Sequence, residues 1–191
     1  MKMSPTVIAS LLICAALFIG PASAAADEMT EQQALSLLAR IAIVTPDYAA
    51  SKEFYGDILG FEAVYSGDIS RPIVREQMQL PESANIHFTI FKKPDGEVGG
   101  YDMAGAMVGL LQVTGVELPR MHRENNAPLS LGEPMLAIMT RDLATVEKKL
   151  KSAGTEFILE PMSAHDGTEM EMVVRDPAGV RVHILEIVAR P

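Results

Sequence analysis

The chain has 191 residues, with 16 Lys and Arg against 25 Asp and Glu, no Trp and a single Cys. A formal charge of −9 argues against nucleic acid or an anionic membrane surface as the partner, because both are bound through clustered cations. An aromatic content of 5% leaves little with which to stack bases or sugars. The 48% apolar content is enough to bury the core of one domain or of two small fused modules.

The opening "MKMSPTVIASLLICAALFIGPASA" places Lys2 before an apolar run from Val7 to Ile19 and ends in small residues. This pattern predicts a secretory signal peptide over residues 1–24, cleaved near Ala24 or Ala26. The run falls short of the ~20 apolar residues a bilayer-spanning helix needs. No membrane association is therefore expected after cleavage, and the expected location is periplasmic or secreted. Cys14 leaves with the leader, so the mature chain has no disulfide and no thiolate for catalysis or metal binding.

The next segment, "ARIAIVTPDYAASKEFYGDILGFEAVY", predicts a strand over Ile41 to Thr45, then a helix N-capped by Asp47 with Ala50, Phe54, Ile58 and Leu59 at helical spacing. Gly60 is its stop, and an extended run from Phe61 follows. A short helix is expected in "RPIVREQMQL", before Pro81, and strands at Asn85 to Lys92 and Ala106 to Val113. The glycine-rich "KPDGEVGGYDMAG" between them lacks the Lys-Ser/Thr ending of a phosphate loop and opens no helix, so it reads as a hairpin connection.

Residues 114–134 have the Pro, Asn and charge content of a linker. "MLAIMTRDLATVEKKLKSAGTEFIL" then repeats the earlier grammar, with Thr45 matched by Thr140, Asp47 by Asp142 and Ala49 by Ala144. Strands near Glu156 to Leu159, from Glu169 to Arg175 and from Val180 to Val188 follow, the last two joined by the turn Asp176-Pro177-Ala178-Gly179. The reading is of two βαβββ modules, 36–113 and 135–190.

Strand alternation puts Arg181, His183 and Leu185 on one face, and likewise Arg40 with Ala42 and Val44, and Met135 with Ala137 and Met139. A cup lined by these faces is mainly apolar, with one imidazole and Arg40 as its permanent cation, joined by Arg181 if that residue also faces inward. It suits a small or medium ligand with a carboxylate, carbonyl or phenolic oxygen. His183 is the best catalytic candidate, since imidazole can serve in either protonation state near neutrality. The methionines at 103, 107, 135, 139, 162, 170 and 172 offer either an adaptable surface or ordinary core filling. His122 and His165 fall in polar, loop-like segments and read as solvated. No G-x-S-x-G element is present, and Ser163 beside His165 lacks a third member, which argues against a serine hydrolase.

Taken with the two modules, "FYGDILGF" and "RDPAGVRVHILEI" resemble the vicinal oxygen chelate superfamily of glyoxalase I, extradiol dioxygenases and bleomycin or fosfomycin resistance proteins, over nearly all of residues 38–188. The resemblance implies an α+β fold whose tandem modules form a cup-shaped, eight-stranded mixed sheet. It also implies metal ligands on the first and last strands of each module, which fall here on Arg40, on or near Gly109, on Met135 and on His183. Of these only the imidazole suits a divalent ion.

The expectation is therefore an exported protein that binds a small apolar or amphipathic molecule through Arg40, Gly109, Met135, Met139, His183 and Leu185, with no cofactor and without the usual metal quartet. The alternative is a metalloenzyme of the glyoxalase/lyase or dioxygenase type with a rearranged divalent-metal site, His183 joined by His87 or Glu171. A homodimer through sheet edges is a further expectation.

Overall fold

In the computed structural model the described residues are 39–94, 97–98, 101–102, 107–120, 128–164 and 170–187. The predicted leader, Met103, His122 and His165 lie outside them.

Strand β1 (Arg40–Val44) delivers the chain to a polar corner. Thr45 Oγ1 donates to the Asp47 carbonyl at 3.0 Å, and the Asp47 carboxylate accepts from Ala50 N at 3.0 Å. That cap satisfies an otherwise orphaned first-turn amide and starts α1 (Tyr48–Glu53). The helix is shorter than its sequence pattern, because it widens into a π-helical turn over Phe54–Ile58 that buries the consecutive Phe54 and Tyr55. It ends at Gly60, whose φ of +71° is costly for any residue with a Cβ.

Next come β2 (Glu62–Asp68), α2 (Pro72–Gln77), β3 (Asn85–Lys92), a short hairpin of β4 (Glu97–Val98) and β5 (Tyr101–Asp102), and β6 (Met107–Thr114). The second module runs β7 (Met135–Thr140), α3 (Leu143–Ser152), β8 (Phe157–Ser163), β9 (Met170–Arg175) and β10 (Arg181–Glu186). Its helix cap repeats the first: Asp142 accepts from Thr145 N at 2.9 Å and from Thr145 Oγ1 at 2.6 Å. Those bonds hold the Asp142 carboxyl below the ordinary range.

The main strands form two four-stranded mixed sheets, ordered β1-β6-β3-β2 and β7-β10-β9-β8. Each sheet comes from one module, as expected for two tandem βαβββ units of an α+β fold, and among the described residues no ladder joins the two. In each module the first and last strands are parallel neighbours in the same register. Arg40 faces Met107 and Ala42 faces Gly109; in the second module Met135 faces Arg181 and Ala137 faces His183. Gly109 is thus the positional counterpart of His183.

Each sheet has a face turned to a core that both modules share. Ile43, Phe91, Val108 and Leu110 of the first sheet, Phe54 and Tyr55 of the π turn, Leu143 and Leu150 of α3, and Met172, Val174, Val182 and Ile184 of the second sheet form one buried cluster. A second, smaller cluster lies on the far face of the first sheet. There Ile86, Phe88 and Leu111 are covered by Ile69, Val74 and Leu80, from α2 and its flanks.

The two sequence motifs meet in the shared core. Tyr55 donates its hydroxyl to Asp176 Oδ2 at 2.8 Å. The other oxygen of Asp176 accepts from Ala178 N at 2.9 Å and Val180 N at 2.7 Å. "FYG" and "DPAG" are therefore a fold-holding pair: the carboxylate shapes its own turn and pins that turn to the first module.

Candidate functional site

The far faces carry the residues singled out from sequence. In the first module Arg40 and Gly109 share that face with Phe88, and Phe88 occupies the room a side chain at 109 would need. A Cβ built on Gly109 would lie 2.6 Å from Phe88 Cε2. The Arg40 guanidinium sits 5.2 Å from the centre of the same ring, a cation–π distance. The first module's half of the expected chelating set is thus an arginine–phenylalanine–glycine stack.

In the second module Met135, Met139, His183 and Leu185 do share one face, together with Glu171. His183 Nε2 lies 2.9 Å from Glu171 Oε2, with side-chain exposures of 21% and 17%. A carboxylate only accepts, so the imidazole donates through Nε2. Beside it Arg181 pairs with Glu133 at 3.1 Å, both buried. His87 is not part of this group. It lies on the core-side face of the other sheet, where Nδ1 donates to Asp68 Oδ1 at 2.6 Å and Nε2 accepts from Ser66 Oγ at 3.1 Å.

A divalent ion does not fit the four inherited positions. Arginine cannot deprotonate to ligate, glycine has no donor, and a thioether favours soft ions. Glu171 raises the donors beside His183 to two, short of the three or four protein ligands of a usual site. Among the described residues no group of three or more His, Cys, Asp or Glu is placed to hold a metal.

A cleft of about 1700 Å³ opens where the modules join. Its walls come from β1, α1, the segment after β6, the α3–β8 connection and the β9–β10 turn; none of the six ligand residues expected from sequence lines it. Ile41, Phe54, Val116, Leu118 and Ala178 supply apolar wall, and Glu53, Glu117, Arg120, Glu156, Arg175 and Asp176 lie in the same lining. Arg175 is 8% exposed. Its Nη1 donates to the Gly179 carbonyl at 3.3 Å, and its Nε is 3.5 Å from Glu156 Oε1. Neither Nε nor Nη2 has a hydrogen-bond partner among the described residues, and a buried guanidinium left so is costly. Sequence alone gave no sign of the cleft, one side of which is the DPAG turn that Tyr55 of the π-helical turn holds through Asp176.

Next to the cleft, burial pushes the Tyr55 hydroxyl well above the ordinary phenol range, and the Asp176 charge adds to this. Burial also raises the Asp176 carboxyl, although hydrogen bonds from Tyr55 and the turn amides oppose it.

A sequence model of the Glyoxalase/Bleomycin resistance protein/Dioxygenase superfamily matches residues 37–184. No curated protein matches the chain by sequence. Among solved structures, a glyoxalase family protein from Bacillus cereus superposes with a TM-score of 0.65 at 14% identity, covering 82% of this chain and 97% of that one. A glyoxalase family protein from Enterococcus faecalis gives 0.52 at 19% identity, over 80% and 99%. A glyoxalase I mutant from Zea mays gives 0.55 at 14% identity, over 79% of this chain and 45% of that longer one. At such identities the likeness is one of fold.

Proposed function

We propose a function from one premise: the chain belongs to the Glyoxalase/Bleomycin resistance protein/Dioxygenase superfamily. It binds a small amphipathic molecule bearing an acidic or carbonyl oxygen, outside the cytoplasm, without a metal quartet. The observation that carries this reading is the buried Arg175 in the wall of a partly apolar cleft, with two guanidinium nitrogens that have no hydrogen-bond partner among the described residues. Apolar walls supply burial and the guanidinium supplies a fixed charge for an oxygen anion, directly or through a bridging water. The cleft exceeds the ~300–1,000 Å³ of an ordinary small-molecule pocket, so the ligand fills part of it. Arg40, already stacked on Phe88, and the His183–Glu171 pair are polar fixtures of the far faces in this reading.

Thermal denaturation with a library of aromatic acids and ketones tests it. A ligand at a hundred times its Kd stabilises by about 2.7 kcal/mol, which for a chain of this size raises Tm by about 5–10 °C. The rise is expected for acids and is expected to shrink in Arg175→Gln. Metal analysis of protein purified without chelator is the counter-test. Stoichiometric divalent metal that disappears in His183→Ala would replace the binding reading with the metalloenzyme one.

A further inference from the structure

The pairing of β2 with β3 brings Asp68 opposite His87 and Ser66 opposite Thr89. Three side chains from these positions form a connected line. Asp68 Oδ1 is 2.6 Å from His87 Nδ1, and His87 Nε2 is 3.1 Å from Ser66 Oγ. The carboxylate accepts only, so it fixes the proton on Nδ1 and leaves Nε2 free to accept from the serine hydroxyl. Behind the serine, Thr89 Oγ1 lies 2.9 Å from Ser66 Oγ and is itself hydrogen-bonded to the Tyr48 hydroxyl. Every hydroxyl in the line then donates one step onward, from Tyr48 to Thr89, Ser66 and His87, and each donation polarises the next. The edge of the Tyr48 ring packs on the imidazole, with centroids 5.3 Å apart at 85°, and holds its plane.

Order and exposure both matter for chemistry. Thr89 is fully buried, which anchors the line, whereas Ser66 is exposed and can be reached. Strand β2 is the edge of its sheet. In an antiparallel edge strand alternate residues turn their amides outward, so either Ser66 or both its neighbours present an N–H that no strand ladder takes up among the described residues. Backbone donors of that kind can receive a developing oxyanion.

We propose that Ser66 is an acylatable nucleophile, with His87 as its general base and Asp68 as the positioning residue, acting on small activated carboxylic esters. Ser66 Oγ adds to the ester carbonyl carbon as its proton passes to His87 Nε2. The C–O bond to the alcohol breaks, and the alcohol leaves with that proton. Water, deprotonated by the same imidazole, then attacks the acyl carbon; the C–O bond to Ser66 Oγ breaks, Oγ takes the proton back from His87 Nε2 and the acid is released, so the net change is ester plus water to acid plus alcohol. The site is separate from the cleft at the module junction and does not depend on the binding reading.

Treating the full chain with diisopropyl fluorophosphate and with p-nitrophenyl acetate, then mapping adducts by peptide mass spectrometry, tests this. The expected result is an adduct on Ser66 and a burst of p-nitrophenol, both reduced to the buffer blank in Ser66→Ala. His87→Ala is expected to slow labelling by about 100-fold, the lower end of a general base's contribution. Asp68→Asn is expected to lower kcat for p-nitrophenyl acetate with KM little changed, and Asp68→Glu to restore part of it, because the carboxylate fixes the Nδ1 proton and the ring's orientation. Circular dichroism on each variant separates loss of chemistry from loss of fold. No adduct on Ser66 in the unaltered protein, or equal rates in the folded His87→Ala variant, would overturn the assignment.

Discussion

Replacing Tyr55 with Phe removes the hydroxyl that reaches Asp176 from the first module and leaves a buried carboxylate short of a donor. Such a loss costs about 1–3 kcal/mol. The cost depends on pH in a definite direction. Burial raises the native Asp176 carboxyl above its ordinary value of about 3.9. The native state therefore holds this proton more tightly than the unfolded chain. The resulting stability is full below the ordinary value and is lost as pH rises through the raised one. The Tyr55 bond opposes the rise, so Tyr55→Phe lifts the carboxyl further. Urea denaturation is expected to show a larger loss for Tyr55→Phe at pH 7 than at pH 4, and a larger loss in acid would refute this account. The bond was not legible in the sequence: the two motifs were visible, but not that one supplies the donor and the other the acceptor.

Elements read well from sequence wherever a local rule decides them. The Thr-x-Asp corners before α1 and α3 predicted both caps and the repeat, and Asp47 and Asp142 do accept from the first turns. What escaped was anything set by pairing between strands. The Ser66–His87–Asp68 line depends on the β2–β3 register, which shifts between Ala63 and Tyr65, and no spacing in the chain announces that shift. The filling of the first module's far face escaped too. Phe88 alternates onto it by strand period, yet only the fold shows its ring lying over Gly109, under α2 and its flanks. Gly109→Ala is therefore expected to destabilise by about 1–3 kcal/mol through overpacking. In a Phe88→Leu background the same change is expected to cost less, with a coupling of at least about 0.5 kcal/mol in a double-mutant cycle. Additive losses would show that the ring and the glycine do not compete for one space.

At the scale of the molecule, the repeat in sequence suggests two separable units, and the core argues otherwise. Tyr55, Phe91 and Leu110 from one module pack in a single cluster with Leu150, Met172 and Ile184 from the other, and these side chains are almost fully buried. Cutting the chain at the linker would expose both halves of that cluster and leave Asp176 without Tyr55. Chains of about 60–80 residues are marginal even when their cores are intact, so neither module has stability to spare for that exposure. Fragments 36–113 and 135–190, made separately, are expected to show no cooperative unfolding and little near-ultraviolet circular dichroism. The longer chain spanning both is expected to unfold in one transition with coincident probes. Mixing the fragments is expected to restore part of the signal in a concentration-dependent way, because the shared apolar surface drives association as it drives folding. Cooperative unfolding of either fragment alone, or two resolved transitions in the intact chain, would mean that each module closes its own core. The cleft beside Arg175 would then be a crevice between independent bodies instead of a site held by their common interior.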